Sequence, residues 1–123
     1  MEVQFTDREL DIMNVLWEEG EATVAEVQAL LSDALAYTTV LTILRTLEEK
    51  GHVGHEEAGR AYRYHALVDR AVAGRSAVRR LVHKVFRGSP ELLLTQLVAD
   101  RKLTAAQLDA MRRLLDERVE EGR

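Results

Sequence analysis

The fold is decided by one stretch of sequence, AYTTVLTILRTLEEKG at Ala36–Gly51. Apolar residues recur in it at three- and four-residue spacing, at Val40, Ile43, Leu44 and Leu47. This period places them on one stripe of an α-helix, and a stripe of this kind is expected to pack on a core. The glycine that closes the stretch predicts where the helix ends.

The opposite face of this helix carries residues that suit contact with DNA bases. They are Thr38, Leu41, Thr42 and Arg45. An arginine can pair with O6 and N7 of guanine, and threonines can contact base edges or thymine methyl groups. An ordinary solvated face is the alternative, but it does not explain an exposed leucine among these residues. The face is therefore predicted to read base pairs in a major groove.

A hairpin is predicted directly after the helix, in HVGHEEAGRAYRYH at His52–His65. Two short alternating runs meet there around Ala58-Gly59, as strands joined by a tight turn do. Tyr62 and Tyr64 fall on the same face by alternation and are expected to pack on the core. A short helix-turn-helix pair followed by a two-stranded wing accounts for these features, and it indicates sequence-specific DNA binding.

Four further residues are candidates for contact with the DNA backbone. Tyr37 and Thr39 lie near the predicted helix start, where hydroxyls and amide N–H groups commonly hold phosphate. For Tyr37 a packing role is an equal alternative. Arg60 and Arg63 lie on the predicted wing, within reach of a phosphate or the minor groove. Alternation puts these two arginines on opposite faces, so only one need reach DNA, and Arg60 beside the turn glycine is favoured.

Capping boxes mark the starts of the helices around this region. Thr6 and Glu9 open a helix that runs to about Glu19, and Thr23 and Glu26 open a short second helix. The two residues before Thr23 are a candidate strand that pairs with the wing. The predicted fold class is therefore mainly α with a small β wing.

Two domains are expected, a winged helix-turn-helix domain at residues 1–68 and a C-terminal helical dimerisation arm at residues 69–123. Helix starts in the arm are predicted at Asp69, Ser89-Pro90 and Thr104. The apolar faces of these helices are too broad for the small winged domain to cover, which predicts a two-fold homodimer. Folding back onto one monomeric core is the alternative. The residues predicted to form the dimer interface are Leu81, Val85, Leu93, Leu94, Leu97, Leu108, Met111, Leu114 and Leu115.

Composition limits the classes of function. The chain has no cysteine, which excludes a disulfide scaffold, a thiolate metal site and a cysteine nucleophile. No apolar run approaches the roughly 20 residues that span a bilayer, and the N-terminus lacks a signal-peptide pattern. The histidines have no metal-ligand spacing, and neither a phosphate-binding loop nor a catalytic motif is present. We therefore expect a cytoplasmic non-enzyme with no metal, no cofactor and no membrane partner.

Net charge leaves a second function open. Residues 1–66 carry five Lys/Arg against thirteen Asp/Glu, a net charge of −8, whereas residues 67–123 carry twelve against eight, a net charge of +4. DNA-binding domains are usually basic, because neutralisation of phosphates supplies much of their affinity. One interpretation is a homodimeric repressor that gains affinity by reading both halves of a dyad operator. The alternative is a winged-helix protein–protein interaction module that docks a basic partner and does not bind DNA directly.

Several segments, in their order and spacing, also resemble a known family. They are TDRELDIMNVLW (Thr6–Trp17), TVAEVQALL (Thr23–Leu31), the Ala36–Gly51 stretch, GRAYRYHALV (Gly59–Val68) and LVHKVFRGSPELLLTQLV (Leu81–Val98). Over nearly its whole length the sequence resembles the penicillinase-repressor (BlaI/MecI/CopY) family of winged-helix regulators. The resemblance implies a dimeric repressor that binds a dyad operator of double-stranded DNA, with the C-terminal helices intertwined as the dimer arm. It also implies control of β-lactam-resistance-type or related stress genes.

The resemblance further implies a mode of regulation. In the best-known members a membrane sensor protease triggers cleavage of the repressor in the dimer arm. The matching bond here is Gln96-Leu97, where those members carry Asn-Phe. A copper-responsive branch uses cysteine pairs near the C-terminus, and this chain lacks them.

Overall fold

The computed structural model describes residues 3–123, which form two compact units. The first unit ends at Val78 and the second runs Arg79–Arg123. The elements in chain order are α1 (Asp7–Glu19), β1 (Glu21–Thr23), α2 (Val24–Leu30), α3 (Tyr37–Glu49), β2 (Val53–Ala58), β3 (Ala61–Ala66), α4 (Arg70–Lys84), α5 (Pro90–Val98) and α6 (Ala105–Glu121). The described chain is thus mainly helical with one small antiparallel sheet, as the sequence predicts.

The first two helices begin with capping boxes, which confirms both predicted helix starts. The Glu9 amide donates to the Thr6 hydroxyl at 3.1 Å, and the Thr6 amide donates to the Glu9 carboxylate at 2.8 Å. Thr23 and Glu26 repeat this exchange at the start of α2. Each box provides partners for amides that have none within the helix, so sequence next to the start fixes where each helix begins.

The loop between α2 and α3 is held by side chains from the two preceding helices. Gln28 Nε2 donates to the Leu35 carbonyl at 2.9 Å, and Arg8 Nη1 donates to Asp33 Oδ2 at 2.9 Å. This loop is the turn of the helix-turn-helix pair. Its side-chain bonds help to set the start of α3 at Tyr37, a boundary that no sequence signal marks.

The end of α3 follows from a single glycine. Gly51 has a φ of 83°, a left-handed conformation that residues with a Cβ rarely adopt. Its amide donates to the Glu48 carbonyl at 3.0 Å, and the His52 amide donates to the Leu47 carbonyl at 2.9 Å. This pair of bonds is a Schellman motif, which satisfies carbonyls at the helix end and turns the chain into β2.

The sheet has the strand order β1–β3–β2, and both pairings are antiparallel. Ala22 of β1 and His55 of β2 lie opposite Tyr64 on its two sides, so the predicted pairing of β1 with the wing is confirmed. Gly59 and Arg60 join β2 to β3. Positive φ at Gly59 but not at Arg60 matches a type II′ turn, which suits the twist of a two-residue hairpin.

The core of the first unit collects the apolar stripes of α1, α2 and α3 and the base of the sheet. Its buried residues are Ile12, Met13, Val15, Leu16, Ala22, Val24, Val27, Val40, Leu44, Leu47, Val53 and Tyr64. The prediction that Tyr62 also packs on the core is wrong, because its side chain is 44% exposed. The two tyrosines share a face, but Tyr62 lies nearer the hairpin turn, where its ring stacks on His55.

The start of α4 belongs to the first unit, so this unit continues past the boundary expected at residue 68. Ala73 is buried, and Ser76 Oγ donates to the Val3 carbonyl at 2.7 Å. Trp17 Nε1 also donates to the Val68 carbonyl at 2.8 Å. These contacts fix the chain that leaves the wing to the N-terminal helices.

The second unit contains the remainder of α4 together with α5 and α6. Ser89 Oγ accepts a bond from the Leu92 amide at 3.2 Å, with Pro90 as the next residue, and Thr104 and Gln107 form a capping box. Both predicted helix starts are therefore confirmed. Neither α5 nor α6 contains a buried residue, although both carry many leucines.

Candidate nucleic-acid interface

The candidate interface is the exposed face of α3. Thr38, Thr42 and Arg45 are exposed at spacings of four and three residues, whereas Val40 and Leu44 between them are fully buried. Residues at these spacings are neighbours on one side of a helix. The structure therefore brings three of the four predicted base-reading residues onto one exposed stripe.

Hydrogen bonds along α3 determine what the threonines can offer a base. Thr42 Oγ1 donates to the Thr38 carbonyl at 2.9 Å, and Thr46 Oγ1 donates to the Thr42 carbonyl at 3.0 Å. The hydroxyl proton of Thr42 is engaged by the bond to the Thr38 carbonyl, so its oxygen is left as an acceptor beside the γ-methyl group. Such a residue can accept from an exocyclic amine of adenine or cytosine, or contact a thymine methyl group.

Leu41 does not have the exposure on which its prediction depended. Its side chain is half-buried and packs against the core cluster, so the argument from an exposed leucine is wrong. The reason is its place on the helix, where Leu44 lies three residues further on and is fully buried. Any contact of Leu41 with a base stays a prediction.

The start of α3 leaves backbone donors open to a phosphate. Ala36 is the N-cap and provides no side-chain hydrogen bond to the first amides. Amides at a helix start attract anions, because they lack partners within the helix and lie at the positive end of its dipole. Tyr37 is 49% exposed and Thr39 is exposed, so both of these first-turn residues lie at the surface.

Ion pairs decide which cations of the first unit remain available. Three of the five Lys/Arg residues before position 67 pair with carboxylates: Arg8 with Asp33 at 2.9 Å, Lys50 with Glu9 at 2.8 Å and Arg63 with Glu26 at 3.3 Å. Among the described residues, Arg45 and Arg60 have no carboxylate within ion-pair distance. These two arginines are therefore the free positive charges of α3 and the wing.

The two wing arginines differ in their surroundings, because Arg60 lies in the turn and Arg63 lies on a strand. Arg60 is exposed in the hairpin turn. Arg63 is half-buried on β3 and lies between two acidic residues, at 3.3 Å from Glu26 and 3.9 Å from Glu21. This environment favours Arg60 for a phosphate contact, because Arg63 would have to leave its carboxylate partners to reach DNA.

One polar pair at this interface was missed by sequence reasoning. His55 Nδ1 of β2 lies 2.6 Å from Glu48 Oε2 in the last turn of α3. The pair joins the helix to the wing across the Schellman turn. No sequence signal could have found it, because the contact depends on how the wing folds back on the helix.

The second unit exposes apolar side chains at six of the nine positions predicted for a dimer interface. Leu81, Val85, Leu97, Leu108, Leu114 and Leu115 are exposed, whereas Leu93, Leu94 and Met111 are half-buried. A groove of about 610 Å³ lies among Leu81, Phe86, Leu93 and Leu97. The nine residues predicted for the interface are called the arm surface below. In the described part of the chain, no helix is long and apolar enough to span a bilayer.

The predicted cleavage position lies inside a helix. Gln96 and Leu97 belong to the last turns of α5 and both are exposed. The peptide bond between them is thus in helical conformation, at the surface of the single chain. Cleavage at this bond stays a prediction.

The fold and this interface define a winged-helix DNA-binding protein. The sequence pattern of the penicillinase repressor family matches residues 5–117, and the chain belongs to this family of DNA-binding transcriptional repressors. One relative, the transcriptional regulator BlaI of Mycobacterium tuberculosis (strain ATCC 25618 / H37Rv), is 37% identical over 116 residues, which are 90% of this chain and 82% of that protein. The resemblance inferred from the sequence segments is therefore confirmed.

Solved structures share the winged-helix fold of this chain. The solution structure of the DNA-binding domain of the repressor BlaI matches with a TM-score of 0.52 and 30% sequence identity, over 58% of this chain and 90% of that chain. A mutant of MarR from E. coli, crystallised with operator DNA, matches with a TM-score of 0.56 and 18% identity, over 93% of this chain and 75% of that chain. At that identity the second match shows a shared fold.

Proposed function

We propose that this protein is a homodimeric repressor that reads a dyad operator with Thr38, Thr42 and Arg45 of α3. The observation that carries the proposal is the state of Arg45. It is exposed on the same stripe as the two threonines and has no carboxylate partner among the described residues, although thirteen Asp/Glu precede position 67. An unpaired guanidinium beside small hydroxylated residues suits bidentate contact with guanine.

The homodimer is proposed on the arm surface. Large exposed apolar side chains cluster in the second unit, with Leu114 at 65% and Val85 at 61% exposure. Burial of such residues against a second copy removes apolar area from water, at about 25 cal/mol per Å². Dimerisation also compensates for the acidic first unit, because two half-sites held together bind far more tightly than one.

The second candidate is a protein–protein module, and the net charge of −8 over residues 1–66 favours it. Its acidic surface would attract a basic partner, and DNA would play no part. Both functions would weaken with salt, so salt dependence alone does not separate them. Selection of a defined DNA sequence separates them, because only the repressor recognises bases.

The test is binding-site selection by the full-length protein from a pool of random-sequence duplexes. We expect a dyad sequence to be enriched. Arg45→Ala should then cost about 1–3 kcal/mol on that duplex and relax one base position in each half-site. Arg75→Ala removes the same charge from α4 and serves as the matched control. Failure to enrich any sequence would favour the protein–protein module. If Arg45→Ala has no effect while Arg60→Ala abolishes binding, α3 is not the reading helix.

The proposal also covers where the protein acts and how it is released from its operator. We infer that the protein acts in the cytoplasm as a binding protein without catalytic activity, where its inducing signal releases it from the operator. A sensor protease that triggers cleavage between Gln96 and Leu97 is the release mechanism implied by the family resemblance. Incubation with an active sensor protease, followed by mass spectrometry of the products, tests this mechanism directly.

A further inference from the structure

We propose that His55 is a positioning residue for the base-reading arginine: it holds the Glu48 carboxylate and so keeps the Arg45 guanidinium free. This inference deepens the proposed function and rests on it. It gives the wing a role in base reading that does not require the wing to touch DNA.

The contact between His55 and Glu48 is a short hydrogen bond in which the histidine is the donor. His55 Nδ1 lies 2.6 Å from Glu48 Oε2, at the short end for a nitrogen donor and a carboxylate oxygen. A carboxylate oxygen accepts hydrogen bonds, so this bond forms with the imidazole tautomer that carries its proton on Nδ1. The side chains are about one third exposed, at 31% and 33%, and the bond is therefore partly shielded from competing water.

The imidazole ring is held in place by the aromatic side chains of β3. It stacks on Tyr62 with ring centroids 4.4 Å apart and an angle of 30° between the planes. The ring of Tyr64 lies 5.4 Å away, and Tyr64 itself is only 1% exposed. Tyr62, which is not a core residue as the sequence suggested, thus orients the histidine that binds Glu48.

Arg45 and Glu48 form no ion pair among the described residues, although their positions on α3 suit one. They are three residues apart on α3, a spacing at which opposite charges are neighbours on a helix. Both charges act on Tyr64: burial and the Glu48 carboxylate raise the pKa of its phenol, and the Arg45 guanidinium opposes them. The Glu48 carboxylate is instead bound to His55, and no ion pair forms with Arg45 among the described residues.

Loss of the histidine donor would release Glu48 toward its neighbour. A free carboxylate three residues from Arg45 would compete with guanine for the guanidinium and would also repel nearby phosphates. Glu49 lies four residues from Arg45 and carries the same charge, but within residues 3–123 no ion pair joins it to His55. This difference between two adjacent acidic residues makes the proposal testable.

The experiment uses the full-length protein and a duplex that the wild type selects from the random pool. His55→Phe keeps an aromatic ring beside Tyr62 and removes the N–H donor, and we expect binding to weaken about two- to fivefold. His55→Asn, which retains an N–H donor at a similar position, should restore most of the loss. Glu48→Gln combined with His55→Phe should bind as tightly as Glu48→Gln alone.

Glu49→Gln is the matched control, since it removes one negative charge at the next position. Combined with His55→Phe it should leave the loss caused by His55→Phe in place. Equal rescue by Glu48→Gln and Glu49→Gln would overturn the proposal, because it would show only general charge repulsion. An unchanged affinity of His55→Phe, measured where Arg45→Ala weakens binding, would overturn it while leaving the proposed function intact.

A measurement without DNA tests the positioning role of His55 independently of the proposed repressor function. In a crystal structure of His55→Phe, the Glu48 carboxylate should form an ion pair with the Arg45 guanidinium. This result supports the positioning role even if the protein selects no duplex. A Glu48 carboxylate that stays away from Arg45 in that variant would contradict it.

Discussion

Lys50 Nζ lies 2.8 Å from Glu9 Oε2, and this pair ties the C-cap residue of α3 to the first turn of α1. Glu9 is 4% exposed and also accepts the Thr6 amide of its own capping box. One carboxylate therefore completes the start of α1 and anchors the end of α3. The same pair removes Lys50 from the set of cations that could contact DNA.

The first prediction concerns the pH dependence of this anchor. Burial opposes ionisation of Glu9, but hydrogen bonds from Lys50 and Thr6 outweigh it and hold the pKa below its ordinary value of 4.5. A lowered pKa stabilises the folded state above pH 4.5, and that contribution is lost as the pH falls through the folded-state pKa. Glu9→Gln should therefore destabilise the first unit by about 1–2 kcal/mol at neutral pH and by progressively less in acid.

Urea unfolding followed by tryptophan fluorescence measures this effect, because Trp17 is the only tryptophan and reports on the first unit. Lys50→Met is the companion variant. It should cost about 1–3 kcal/mol, more than Glu9→Gln, because it leaves a buried carboxylate without its cation. A deficit of Glu9→Gln that stays constant between pH 7 and acid would contradict the assignment.

The second prediction uses two glycines at which an added Cβ atom would meet open space. Gly51 has a φ of 83°, and nothing lies within 4 Å of the position that a Cβ would take. Gly51→Ala should cost about 1 kcal/mol, solely from backbone strain. Gly74 lies inside α4 and also has open space around it, so Gly74→Ala should stabilise by about 0.5–1 kcal/mol. In the same unfolding assay, the two substitutions should change the free energy of unfolding in opposite directions.

The third prediction separates the wing arginines. Arg60→Ala should weaken binding to the selected duplex about three- to tenfold and lower the salt dependence by about one phosphate contact per copy. Arg63→Ala should change affinity by less than about twofold, because the Arg63 guanidinium lies 3.3 Å from Glu26 and is already paired. DNA-binding titrations at several salt concentrations measure the slope of affinity against salt for each variant. A larger loss for Arg63→Ala would mean that its ion pair opens when DNA binds.

The fourth prediction concerns the arm surface. Leu114→Asp should dissociate the dimer and lower operator affinity, because a charge replaces an apolar side chain that is 65% exposed in the single chain. Leu97→Asp on α5 should do the same. Arg113→Asp is the control, since the exposed position 113 lies about 140–160° around the helix from Leu108, Met111 and Leu115. Sedimentation velocity distinguishes monomer from dimer, and a Leu114→Asp variant that remains dimeric would count against this interface.

Sequence reasoning predicted the parts of the fold that local chemistry controls. The Thr6–Glu9 and Thr23–Glu26 capping boxes, the Gly51 stop and the Gly59 turn each depend on residues a few positions apart. Such signals are readable because the groups that satisfy each other are adjacent in sequence. The stripe of α3 was equally readable, since helical period alone separates Val40 and Leu44 from Thr38 and Arg45.

Predictions that depended on how deeply a side chain is buried were less accurate. Leu41 was expected to be exposed and is half-buried, whereas Tyr62 was expected to pack on the core and is exposed. Periodicity gives the face on which a residue lies but not how far the core extends beneath it. The edge of the α3 stripe and the outer part of the wing are the places where that extent decides the outcome.

Short-range periodicity and capping specify the order of helices and strands, the capped helix starts and the composition of the exposed face of α3, so these features could be read from the chain alone. Which charges remain free depends instead on contacts between elements that are distant in sequence. Lys50 and Arg63 look as available as Arg45 in the sequence, yet Glu9 and Glu26 neutralise them through contacts between separate elements. Arg45 remains unpaired among the described residues, and the wing folds back to bring His55 to Glu48; pairs of this kind depend on distances that only the folded chain sets.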